Sequence, residues 1–251
     1  MVFVIYLIWL VSLILVPFFQ GAYFYHEALA FGVIQTLTVL MLIIKGRLYK
    51  PRGNTVKLYG IILLSALIAF TGAVDRGMHT IGIFKVIVPF LWLVNLESFL
   101  RIFGQPVKEH VKKAFIITAF LMSGIMIAVL GLGLEQVGLY DHLMQKDRVG
   151  GFFQYANTYG IYMLGSFLLL LDTDFGLKVK VICGPVLIAG MFLTQSRGTV
   201  LVALPLLVVL LIWNVLTGLK KAKRKKLEGL TEGMKTFSLS LVTVISLVLG
   251  Y

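Results

Sequence analysis

Apolar runs recur along the whole chain and are separated by short polar segments. The first run, VFVIYLIWLVSLILVPFF, carries no charged side chain. About 20 apolar residues in a helix cross about 30 Å of hydrocarbon, and backbone amides in lipid must bond within their own segment. The pattern therefore predicts an all-α, polytopic transmembrane helix bundle of about nine spans. The predicted spans lie near residues 2–19, 28–44, 58–74, 79–97, 114–134, 156–171, 181–196, 199–218 and 237–251.

Composition supports lipid as the solvent of this chain. Hydrophobic residues make up 59% of the sequence and charged residues 14%, and the mean hydropathy is +0.96. The net charge of +12 does not predict nucleic-acid binding, because the basic residues lie between apolar runs. The single cysteine, Cys183, excludes an intrachain disulfide and suits a small packing residue. No basic stretch precedes the first run, so we interpret it as a retained span.

Basic residues predict the orientation. With the N-terminus in the cytoplasm, most of the 23 lysines and arginines fall in inner loops, as the positive-inside rule requires. The inner KKAKRKK run fits either a plain anchor or a lipid-binding patch. The outer segments hold four basic residues, and Lys85 lies inside a span. The four are Arg76, Lys146, Arg148 and Arg197.

The segment RVGGFFQYANTYGIYM, residues 148–163, is more polar and richer in glycine than a span requires. Gly150 and Gly151 allow positive φ or close backbone approach, and Asn157 or Thr158 could cap the following helix. Arg148 beside a helix N-terminus could complete a phosphate cradle, since guanidinium holds phosphate oxygens in a bidentate manner. The alternative is an ordinary turn and cap, with the tyrosines forming an interfacial aromatic belt.

A second polar segment, TQSRGT at residues 194–199, stands between two predicted spans with almost no loop. Such a turn places Arg197 at the membrane surface or slightly below it. A charge there either serves a ligand or reaches the lipid headgroups along its flexible stem. The sequence contains no P-loop, HExxH motif or Cys/His metal spacing, so neither a metal nor a cofactor is expected.

Taken together, RVGGFFQYANTYGIYMLGSF and TQSRGTVLVALPL resemble the O-antigen ligase and polymerase family of bacterial envelope proteins. The order, spacing and predicted membrane side of the two motifs agree with that family. The resemblance covers roughly residues 110 to 218 through motifs, and earlier spans only through hydropathy. We expect one transmembrane domain over 1–251, with N-terminal spans at 1–110, a motif-bearing core at 111–218, and a basic loop and incomplete span at 219–251.

The resemblance implies metal-independent glycan transfer on the outer face of the bacterial cytoplasmic membrane. The donor would be a glycan on undecaprenyl diphosphate, and the acceptor a glycan, lipid or protein, without nucleic acid as a partner. Arg148 and Arg197 correspond to the family's diphosphate-binding arginines, with Arg76 a weaker candidate beside a possible local Asp75 pair. The supporting candidates are Gly150, Gly151, Gln154, Asn157, Ser196 and Gly198.

The family's acceptor-activating histidine would lie in a long outer loop beyond residue 251, so we expect this chain to be an N-terminal fragment. His142 precedes the expected place and does not inherit that role. Two other classes remain open: a transporter or flippase of a lipid-linked or anionic solute, and a non-catalytic membrane scaffold. A transporter would place ionisable side chains near the membrane centre, whereas here they cluster at the span ends.

Overall fold

The structure, a computed structural model, is mostly helical. It describes residues 1–19, 21, 24–51, 54–72, 75–133, 143–145, 148–153 and 155–224. The helices in these ranges are α1 (Val2–Leu15), a 3₁₀ turn (Val16–Phe19), α2 (Tyr25–Ile44), α3 (Asn54–Thr71), α4 (Arg76–Phe103), α5 (Pro106–Gly131), α6 (Ala156–Asp172), α7 (Leu177–Leu193) and α8 (Arg197–Arg224). A short antiparallel pair, β1 (Met144–Gln145) and β2 (Arg148–Val149), precedes α6.

Four segments are long and apolar enough to cross a membrane: Val2–Phe19, His26–Ile44, Thr80–Phe103 and Pro106–Gly131. This confirms the helical, membrane-type character predicted from hydropathy. The other predicted spans within the described residues are also helices, with shorter apolar stretches such as Val56–Thr71. The count of nine spans and their orientation stay predictions, and the segment 237–251 lies outside the described residues.

Contacts divide the chain into two compact units, Met1–Ala114 and Phe115–Tyr251. The first unit is centred on buried aromatic residues of α1 and α4. The ring centroid of Phe99 lies 5.2 Å from those of Tyr6 and Trp9. The Tyr6 hydroxyl lies 2.8 Å from Nδ1 of His110, at the start of α5. Aromatic packing therefore joins α1, α4 and α5 within this unit.

A buried polar chain also connects α1, α2 and α4. Asn95 Nδ2 donates to Oε1 of Gln35 at 2.9 Å and to the Gln35 carbonyl at 3.2 Å. Gln35 Nε2 donates to Ser12 Oγ at 3.3 Å, and all three side chains are buried. Because lipid offers no alternative partner, such bonds stabilise the contact between apolar helices.

In the second unit, α5, α6 and α7 have buried or closely packed residues. Tyr159, Met163 and Phe167 are fully buried on one face of α6. Gly190 of α7 lies so close to Ser123 of α5 that a Cβ at this position would collide with the Ser123 hydroxyl. The small residues let the helices approach closely, as at other helix contacts in membranes.

Candidate functional site

The strand pair before α6 positions Arg148. Residue pairing runs Met144 to Val149 and Gln145 to Arg148. The backbone N–H groups of Gly150 and Gly151 both donate to the carbonyl of Leu143, at 2.9 and 3.0 Å. The chain therefore turns sharply after β2, and the base of this turn is closed by backbone bonds. The sequence did not predict these strands, which are only two residues long.

Gly151 requires glycine for two reasons. Its φ is +60°, and a Cβ added there would lie 2.8 Å from the ring of Tyr159. Tyr159 is fully buried, and its hydroxyl lies 3.3 Å from Ser123 Oγ. The expected positive φ and close approach are thus confirmed at Gly151. The interfacial-belt interpretation is wrong for Tyr159, because its ring forms the floor of this turn.

The second motif forms the turn between α7 and α8. Helix α7 ends at Leu193 and α8 begins at Arg197, so the nearly loopless connection predicted from TQSRGT is confirmed. Gln195 adopts a left-handed conformation with φ of +49°. Ser196 caps α8, because its Oγ accepts the Thr199 N–H at 3.2 Å. A serine directly before the next helical run was the signal from which this cap could have been predicted.

Arg148 connects the two motifs. Its Nε donates to the carbonyl of Thr194 at 3.3 Å. Its Nη2 donates to the carbonyl of Gln195 at 3.3 Å and to Oδ1 of Asn157 at 3.2 Å. The same Asn157 oxygen accepts a bond from Ser196 Oγ at 2.8 Å. The candidate residues Arg148, Asn157 and Ser196 therefore meet in one hydrogen-bonded group.

One expectation about the first motif is wrong. Helix α6 begins after Tyr155 as its N-cap, and no side chain caps it, so neither Asn157 nor Thr158 has that role. Asn157 lies inside the first turn and accepts from Arg148 and Ser196 instead. The amides of Gly150 and Gly151 are bonded to the carbonyl of Leu143. The phosphate cradle of Arg148 beside the start of α6 stays a prediction. Distant contacts therefore occupy the side chain of Asn157, which the local pattern assigned to capping.

The N-terminal ends of α6 and α8 adjoin at the bond between Ser196 and Asn157. Each end carries partial positive charge from its helix dipole. Within the described residues, the N–H groups of Arg197 and Gly198 bond to no acceptor, and both residues are exposed. Apart from its chain neighbours and the nearby helix backbone, no heavy atom of the described residues lies within 4 Å of the position a Gly198 Cβ would occupy.

Charge at this junction is positive. The described segments 148–153, 155–160 and 194–199 contain no aspartate or glutamate, while Arg148 and Arg197 add two full positive charges. Asp147 precedes Arg148 in the chain and lies outside the described residues. Such an arrangement suits an anion that brings several oxygen acceptors.

The side chains of the remaining candidates fall outside the described part of the structure. Arg76 begins α4 in the first unit, and its side chain lies outside the described part of the structure. Gln154 and His142 also fall outside the described residues. Sequence reasoning missed Gly160, where a Cβ would lie 2.7 Å from Thr199 Oγ1, so that α6 and α8 touch closely beneath the junction.

The fold and this junction define a helical membrane-type protein with a basic site where two helix ends meet. No protein-family model, curated protein or solved structure matches the chain.

Proposed function

We propose that the protein transfers or polymerises a glycan carried on undecaprenyl diphosphate at the outer face of the bacterial cytoplasmic membrane. One observation carries the proposal: the two motifs that resemble the ligase and polymerase family are joined by the hydrogen bonds of Arg148. They form a basic junction without carboxylates in the described segments. The acceptor would be a growing glycan, a lipid or a protein.

The chemistry of the transfer accounts for the charge at this junction. When the acceptor oxygen attacks the sugar, the bond to the lipid diphosphate breaks and negative charge develops on the departing phosphate. Fixed guanidinium groups and helix amides lower the energy of that charge without having to reorganise. The N–H groups of Arg197 and Gly198, which have no acceptor within the described residues, supply the helix amides, and the exposed Arg197 adds a full positive charge beside them.

Location follows from the proposed topology. With nine spans and the N-terminus in the cytoplasm, the turn before α6 and the α7–α8 turn would both face outward. The apolar helices of the described chain support a membrane location. The inward excess of lysine and arginine supports the orientation.

The transporter alternative gains no support from burial. Fully buried polar side chains in the described residues are hydroxyl and amide groups, such as Thr118 and Gln35, and include no lysine, arginine, aspartate or glutamate. A transport path for an anionic solute would be expected to place ionisable groups inside the bundle.

The test is binding of undecaprenyl diphosphate to the purified protein in lipid nanodiscs. Arg197→Ala should weaken binding about ten- to a hundredfold, the loss expected for one charge-assisted contact. Arg101→Ala is the matched control, because Arg101 belongs to the first unit, where it pairs with Glu97 and stacks on Tyr49. Undecaprenol, which has the same chain without phosphate, isolates the contribution of the headgroup.

Weaker binding by Arg197→Ala, unchanged binding by Arg101→Ala and poor binding of undecaprenol would support the proposal. Equal binding of the diphosphate by wild type and both variants would contradict it. Undecaprenol binding as tightly as the diphosphate would also contradict it, because the basic junction would then have no phosphate to hold.

A further inference from the structure

We infer that Arg148 is a positioning residue: it holds the α7–α8 turn so that Arg197 and the start of α8 face the phosphate. This inference rests on the proposed function, and it assigns different roles to the two arginines. The family resemblance would make both of them direct diphosphate ligands.

The donors of Arg148 are mostly committed to the protein. Guanidinium has five N–H groups, and three of them, on Nε and Nη2, are directed at Thr194, Gln195 and Asn157. Within the described residues, these bonds leave only the N–H groups of Nη1 for a ligand. A bidentate phosphate contact needs two parallel donors from the fork, and the edge formed by Nε and Nη2 is already occupied.

The acceptors of Arg148 lie where they fix the turn. The carbonyls of Thr194 and Gln195 follow the last turn of α7, where the helix dipole is negative and a cation is favourable. Gln195 holds a positive φ that a non-glycine residue seldom adopts. The two carbonyls that Arg148 bonds, of Thr194 and Gln195, lie before and after the φ and ψ angles of Gln195. The bonds therefore hold Gln195 in this unfavourable conformation.

Arg197 has the opposite surroundings. It is the first residue of α8 and is exposed, at the end where the dipole disfavours a cation. A bound anion would turn this unfavourable position into a favourable one. Ser196 positions Arg197, the next residue, because Ser196 caps α8 and donates to the same Asn157 oxygen that Arg148 contacts.

Hydrogen exchange tests the positioning role without any ligand. The amides of Ser196 and Thr199 are bonded to Thr194 Oγ1 and Ser196 Oγ. In Arg148→Ala the peptide covering 194–200 should exchange about tenfold faster, because the turn opens more often. Arg197→Ala should leave that rate unchanged. Unchanged exchange in Arg148→Ala would overturn the inference.

A double-mutant cycle on undecaprenyl diphosphate binding tests the division of roles. If Arg148 acts through the turn that presents Arg197, then Arg148→Ala should weaken lipid diphosphate binding when Arg197 is present. In the Arg197→Ala background it should cause little further loss of affinity. Effects that multiply would instead make the two arginines independent ligands and overturn the inference. If wild type fails to bind the lipid diphosphate, the proposed function falls while hydrogen exchange still decides the positioning role.

Arg148→Lys provides a second variant in case Arg148→Ala does not fold. Lysine keeps the charge, but a single ammonium lacks the planar fork that reaches three acceptors. Arg148→Lys should therefore speed amide exchange in the turn. Added to Arg197→Ala, it should weaken lipid diphosphate binding no further. Wild-type exchange in Arg148→Lys would contradict positioning by the guanidinium fork.

Discussion

Replacing Gly151 by alanine is the sharpest test of how the turn before α6 is built. The substitution adds one methyl group at a position with φ of +60°. Three ring carbons of Tyr159 would lie 2.8 to 2.9 Å from that methyl. The ring has little freedom to move away, because Tyr159 is fully buried and its hydroxyl meets Ser123.

The cost has two parts. Placing a Cβ in the left-handed region costs roughly 1–2 kcal/mol. Forcing an extra methyl group into a packed core costs roughly 1–3 kcal/mol. We therefore expect Gly151→Ala to lower the free energy of unfolding by about 2–5 kcal/mol. For a chain of this size that corresponds to a fall of roughly 4 to 20 °C in the thermal midpoint.

The assay is thermal unfolding of the purified protein, with Gly165→Ala as the control. Gly165 lies within α6, and an added Cβ there meets no heavy atom within 4 Å. Alanine at Gly165 should be neutral or stabilising by up to about 1 kcal/mol. The double variant Gly151→Ala, Tyr159→Ala should lose less free energy of unfolding than the two single variants lose together. The reasoning is refuted if Gly151→Ala and Gly165→Ala have the same midpoint.

Three other changes test different contacts by the same thermal assay. Gly160→Ala should destabilise by about 1–3 kcal/mol, because its Cβ would lie 2.7 Å from Thr199 Oγ1, and adding Thr199→Ala should recover part of the loss. Asn95→Ala removes two bonds to buried Gln35 and should cost about 1–3 kcal/mol, so an unchanged midpoint would count against the polar chain. Tyr6→Phe loses a 2.8 Å bond to a histidine ring and should cost about 0.5–1.5 kcal/mol, whereas a stabilised variant would contradict that bond.

Local sequence pattern accounts for the helices. A run of apolar residues in lipid satisfies its amides only within its own segment, so hydropathy alone located Val2–Phe19 and His26–Ile44 closely. The span predicted at 114–134 overlaps Pro106–Gly131 but misses its charged first two turns. The tight connection at TQSRGT was also predictable, because polar and glycine residues interrupt two apolar runs there. These features depend on neighbours a few residues away.

The hydrogen-bond partners of the side chains at the junction depended on the tertiary structure. The carbonyl of Thr194 lies 46 residues from Arg148 along the chain, and no local rule connects them. Their bond forms because the close packing of α6 against α8 at Gly160 brings the two motifs together. Asn157 had the residue type of a cap, yet it lies in the first turn of the helix, where tertiary contacts make it an acceptor.

By itself, the sequence determined that the chain forms apolar helices, that Gly151 stands at a position suited to glycine, and that two arginines flank the predicted outer turns. Tertiary structure decided that Arg148 bonds to the α7–α8 turn and that the ends of α6 and α8 adjoin. The physical reason is that helix formation is set by short-range periodicity and solvent. The geometry of a guanidinium group is set by acceptors from distant segments, which only packing brings within reach.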